Sequence, residues 1–92
     1  MAASVSETTV MKPISTTQAL HLLAETFDEP VERMAPATAR DAIAGWDSMG
    51  ALSLMAELDE RFNIELTAEA SRAMARVADV IELLRRHGAL VD

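Results

Sequence analysis

Cysteine is absent from all 92 residues. Its absence excludes a disulfide framework and any thiol chemistry carried by the chain itself, and it suits a reducing compartment, so a cytoplasmic location is the expectation. Aromatic residues are almost as scarce, with Trp46, Phe27 and Phe62 the full set. A core must then be built from Ala, Leu, Met, Val and Ile, a palette that favours packed helices over a sheet. Positive charge is short as well: eight Lys and Arg face fifteen Asp and Glu, for a formal charge of −7. Such a surface repels phosphate backbones and anionic lipid, which argues against nucleic acid and membrane surfaces and makes a basic protein the natural partner. No apolar run approaches the length of a transmembrane helix. The opening MAASVSETTVMKP has neither a basic n-region nor an apolar h-region, so residues 1–13 read as a flexible tail in which Met11 offers an alternative start.

What is present is one small domain's worth of chain, expected to be monomeric, with helical periodicity. Ser15 and Gln18 form a capping box ahead of Leu20, Leu23, Ala24 and Phe27, which predicts a first helix over about 16–28, ended by Asp28-Glu29-Pro30. Residues 29–46 hold Pro30, Pro36 and scattered charges with only Val31, Met34 and Ile43 as sizeable apolar anchors, and read as a long loop. Leu54, Met55, Leu58 and Phe62 then recur at three- and four-residue intervals, giving a second helix over about 48–62 that Asn63 can end. Thr67 is an N-cap for a short third helix, about 68–74, with Glu69 in its first turn. Val77, Val80, Ile81 and Leu84 predict a fourth over about 77–87, with Arg85, Arg86 and His87 at its C-terminus before Gly88. The expectation is an all-α four-helix bundle spanning 14–88, followed by a frayed end at 89–92.

The stretch GWDSMG, residues 45–50, places Ser48 where the second helix begins. Three roles are open to it. As a helix cap it competes with Asp47, and neither has Glu or Gln three residues on. As a nucleophile it lacks the G-x-S-x-G elbow, and His21 and His87 fall on other predicted helices, where each reads as a solvated side chain. As an attachment point it needs no base of its own, and the unpaired N–H groups and positive dipole of a helix start tolerate a phosphodiester. At about 100° per residue, Leu54, Met55, Leu58 and Phe62 fall on one side of this helix, and Met49, Leu52, Ser53, Ala56, Asp59 and Glu60 form an adjacent stripe of apolar knobs and carboxylates.

From about Ser15 to Gly88 the chain resembles a discrete, single-domain acyl carrier protein. Asp47-Ser48-Met49 resembles that family's Asp-Ser-Leu attachment motif, and AELDERFNIEL resembles its acidic run, Phe, short turn and apolar-acidic-apolar triplet at the end of the second helix. The resemblance implies that Ser48, beside Asp47, receives the 4′-phosphopantetheine arm of coenzyme A from a phosphopantetheinyl transferase. The arm's thiol would hold acyl groups as thioesters, importing the sulfur that the chain lacks. It further implies a protein without catalytic activity or a metal of its own, whose stripe of Met49, Leu52, Ser53, Ala56, Asp59 and Glu60 docks the basic surfaces of acyl-transferring, condensing or ligase enzymes. The cargo is expected between the second and third helices, lined by Leu58, Ile64, Ala70 and Met74. Gly50 and Ser53 stand where carriers of fatty acid synthesis show acidic residues, Arg61 adds a late positive charge, and Trp46 precedes the motif, which inclines the expectation to a specialised lipid or polyketide-type pathway. Arg76 replaces the usual Thr before the fourth helix. An aminoacyl or peptidyl carrier, and a helical interaction module with Ser48 only a cap, are the alternatives.

Overall fold

A computed structural model describes residues 13–92. The tail assigned to residues 1–13, and with it the question of Met11, lies outside the described residues apart from Pro13. The protein is all-α, and the described residues form four α-helices packed as a small bundle: α1 (Thr16–Phe27), α2 (Ser48–Phe62), α3 (Ala68–Ala73) and α4 (Val77–Arg86).

Each helix begins and ends on local chemistry. Ser15 Oγ accepts from Gln18 N–H at 3.1 Å while the Gln18 side chain accepts from Ser15 N–H at 2.9 Å, so two orphan donors of α1 are met reciprocally. The helix stops one residue before its expected end. Asp28 turns left-handed (φ 56°) and its N–H reaches back to Ala24 and Glu25, so Asp28 rather than Pro30 makes the break. Asn63 ends α2 in the same way (φ 54°). Thr67 Oγ1 caps α3 through Ala70 N–H, and Met74 is its C-cap, with its N–H on the Ser71 carbonyl, rather than its last helical residue. His87 is likewise the C-cap of α4.

The linker between α1 and α2 is ordered by two 3₁₀ turns, Val31–Arg33 and Arg40–Ala42, and by Met34, Ile43 and Trp46 buried in the common core. Phe27, Leu23, Leu54, Leu58, Ile64, Val77, Val80 and Leu84 form the centre of that core. Part of the linker lies antiparallel to the α3–α4 connection, with a bridge between Ala39 and Arg76. There Thr38 and Pro36 carbonyls accept from Val77 and Ala78 N–H at 3.0 and 2.8 Å, and the Asp79 carboxylate accepts from Ala75 and Arg76 N–H. The first turn of α4 is thus satisfied by the linker and by Asp79, and the Arg76 side chain has no capping to do.

The C-terminal residues are not frayed. Ile14 and Leu90 form a parallel bridge, Ala89 is buried, and Asp92 Oδ1 accepts from both Thr16 N–H (2.9 Å) and Thr16 Oγ1 (3.0 Å). Residues 89–92 therefore clasp the start of α1, a pairing across most of the chain that no local pattern announces.

Candidate functional site

The head of α2 rests on close backbone packing. A methyl group on Gly45 would overlap the Phe27 carbonyl oxygen, and one on Gly50 would overlap the Gly45 carbonyl oxygen. These two glycines let the end of α1, the linker and the start of α2 approach more closely than any side chain permits. Gly50 is buried for that reason, so its place in the sequence leaves no gap in the exposed stripe. Between the glycines, Trp46 is 4% exposed and stacks on Phe27 with ring centroids 4.9 Å apart and planes 14° from parallel. The Arg40 guanidinium carbon lies over the Trp46 ring, 5.1 Å from its centroid. The indole Nε1 is buried without a hydrogen-bond partner among the described residues, a cost that the stacked rings and the cation offset.

On that platform Asp47 is the N-cap. Its Oδ1 accepts from Gly50 N–H at 2.9 Å and its carbonyl from Ala51 N–H at 2.8 Å. Ser48 is consequently the first helical residue and not a cap, which corrects the reading in which capping is its only role. Its side chain is exposed, and its hydroxyl bonds to no described residue. The N–H groups of Ser48 and Met49 are also unpartnered among the described residues, so two donors stand at the same end of the helix. His21 is exposed on α1 and His87 is exposed beyond α4, and neither is hydrogen-bonded to Ser48. The arrangement offers an unencumbered hydroxyl beside anion-tolerant donors, with no bonded base to activate it.

Below Ser48 the stripe of Met49, Leu52, Ser53, Ala56, Asp59 and Glu60 is exposed throughout, with Met49 at 71% and Leu52 at 58%. On the opposite side Leu54 and Leu58 are fully buried, and Met55 and Phe62 are half-buried. Arg61 is paired to Glu57 at 2.7 Å, so its charge is spent within the helix, while Asp59 and Glu60 have no ion pair among the described residues. The stripe is uncharged near Ser48 and acidic at its far end.

Of the four residues expected to line one cleft, Leu58, Ile64 and Met74 are buried in one hydrophobic core cluster, whereas Ala70 is exposed. Leu58 is fully buried in the core. Ile64 borders an open hollow with Met55, Ala56, Asp59, Asn63, Glu65 and Leu66 at the end of α2. Ala70 and Met74 border a different hollow, between α3 and α4, shared with Leu66, Ala73, Asp79, Glu82, Leu83 and Arg86. Ala70 lies on the outer side of α3, while Met74, the C-cap, turns its side chain into the core.

Arg40 is the residue that sequence reasoning missed. Its Nη1 donates to the carbonyls of Ser71 (2.9 Å) and Met74 (3.3 Å), and its backbone N–H to Ala75 (2.8 Å). One side chain thus holds the C-terminal end of α3 and stacks on the Trp46 that precedes Asp47. No periodicity or motif marks it; a lone arginine in a loop reads as solvated. No protein-family model matches this chain, and no curated protein matches it either.

Proposed function

We propose that the protein is a carrier that takes a 4′-phosphopantetheine arm on Ser48 and presents acyl groups, held as thioesters on that arm, to partner enzymes. The observation that carries this reading is the division of labour at the head of α2: Asp47 caps the helix, which leaves the Ser48 hydroxyl exposed and unbonded beside free N–H donors. A phosphodiester at that oxygen sits at the positive end of the helix dipole. The neighbouring stripe supports the same reading. Met49 and Leu52 offer an apolar contact close to the attachment point, and Asp59 and Glu60 offer charge to a basic partner further along. Exposed ion pairs are worth about 0–1 kcal/mol each, which suits encounters that must end quickly. The departures from carriers of fatty acid synthesis favour a specialised lipid or polyketide-type pathway. The cytoplasm, where coenzyme A and reduced thiols coexist, is the proposed location.

The test is incubation of the chain with coenzyme A, magnesium and a phosphopantetheinyl transferase of broad specificity. One phosphopantetheine is expected by intact mass, and none on Ser48→Ala. A folded chain whose mass does not change contradicts the proposal.

A further inference from the structure

Sulfur in this chain is carried by methionine alone. A thioether has no proton to lose, so its oxidation follows access to the sulfur rather than a protonation state. Access differs sharply among the methionines of the described residues. Met34 and Met74 are 3% and 8% exposed, Met55 is half-buried, and Met49 is 71% exposed. The exposure of Met49 has a local cause: Gly50 turns inward against Gly45 and Phe27, which leaves Ser48 and Met49 on the outside of the first turn of α2. Met49 therefore joins the most accessible sulfur among the described residues to the position beside the free hydroxyl.

We propose that Met49 is an oxidative modification site, where a peroxide converts the apolar knob beside Ser48 into a sulfoxide and thereby weakens engagement of the helix head by partner enzymes. The step balances. The Met49 Sδ attacks one oxygen of hydrogen peroxide, the O–O bond breaks and that oxygen remains on sulfur; the two-electron oxidation of sulfur is matched by reduction of the peroxide to water. The product is polar and carries a strong acceptor oxygen, which an apolar socket would have to desolvate. Because the side chain packs against no core residue, the fold is untouched. Methionine sulfoxide reductases, drawing electrons from a dithiol, reverse the change. The effect on partner engagement rests on the carrier reading; the selectivity for Met49 does not.

The experiment treats the folded apo chain with hydrogen peroxide and follows each methionine by peptide mass and fragment ions. Sulfoxide at Met49 is expected at least about ten-fold faster than at Met34 or Met74. Comparable rates at the three sites would overturn the assignment. Treated and untreated samples are then compared as transferase substrates, in the natural chain and in Met49→Leu. The treated-to-untreated ratio of kcat/KM is expected to fall about five-fold or more in the natural chain and to stay near one in Met49→Leu. A ratio near one in both, or an equal fall in both, would overturn the proposed effect. An untreated chain that is never loaded defeats the carrier reading and removes the proposed effect on loading with it, while the mass ratio still decides the modification site.

Discussion

Asp47 and Ser48 are adjacent and chemically alike as helix starters, yet the geometry gives them separable roles. The carboxylate of Asp47 holds Gly50 N–H, and the hydroxyl of Ser48 holds nothing among the described residues. Asp47→Ala is therefore expected to cost about 0.5–2 kcal/mol of stability, the usual loss for an N-cap, and Ser48→Ala no more than a few tenths. Chemical denaturation of the two variants checks this, and a larger loss at Ser48 than at Asp47 would reverse the assignment. The six letters GWDSMG named both cap candidates without deciding between them, because either side chain can reach an N–H three residues on. The function of the glycines was also illegible. A glycine in sequence says that a backbone is permissive; only the fold shows that Gly45 and Gly50 are sites where backbones meet.

Among the elements, α2 was the most legible, from Ser48 to Phe62, because Asp47, Asn63 and a strong apolar face all agree. The least legible features were pairings between distant segments: the clasp of 89–92 on α1 and the seat of α3. With six residues α3 cannot sustain itself, and it depends on Thr67 and on the carbonyls that Arg40 holds. Replacing Arg40 by Met should leave the α1 and α2 amides as protected as before while the amides of α3 exchange about ten-fold faster or more. Hydrogen exchange read by mass spectrometry distinguishes this from a uniform loss across the chain, which would mean that Arg40 serves general stability instead. The first turn of α4 gives a pH prediction. The Ala75 N–H bond, with the Arg76 N–H and the Arg76 charge, holds the Asp79 carboxyl below its ordinary range against an opposing effect of burial. Asp92 is shifted the same way by the N–H and hydroxyl of Thr16. A carboxylate whose folded pKa is depressed stabilises the fold above its unfolded pKa, and that contribution is lost as pH falls through the folded value. Between about pH 5 and about pH 2, Asp79→Asn should lose stability less steeply than the natural chain. Parallel acid limbs in urea titrations of the two proteins would contradict the role given to Asp79.

For the molecule as a whole, the scarcity of aromatics pointed to packed helices and the structure is all-helical, while the charge of −7 makes a basic partner an expectation. The interior was harder to read. The cleft expected from Leu58, Ile64, Ala70 and Met74 is matched only in part, because Leu58, Ile64 and Met74 share the packed core while Ala70 is exposed on α3. The stripe on α2 places Asp59 eleven residues from Ser48, about 16 Å along the axis. Within the stripe, charge is thus remote from Ser48, and apolar surface is close to it. Loading by a transferase should accordingly show a KM that rises with ionic strength, and Asp59→Asn with Glu60→Gln should flatten that rise, whereas Met49→Ala with Leu52→Ala should raise KM at every salt concentration. Steady-state kinetics at low and high salt separate the two contributions.

The central claim is that the Ser48 hydroxyl, and no other, receives the pantetheine arm. Tryptic cleavage after Arg40 and Arg61 yields a peptide running from Asp41 to Arg61, which contains Ser48 and Ser53 together. After treatment with coenzyme A, magnesium and a transferase, fragment ions of that peptide are predicted to carry the phosphopantetheine on Ser48 in essentially every molecule. An unmodified peptide, or a modification on Ser53, would contradict the account.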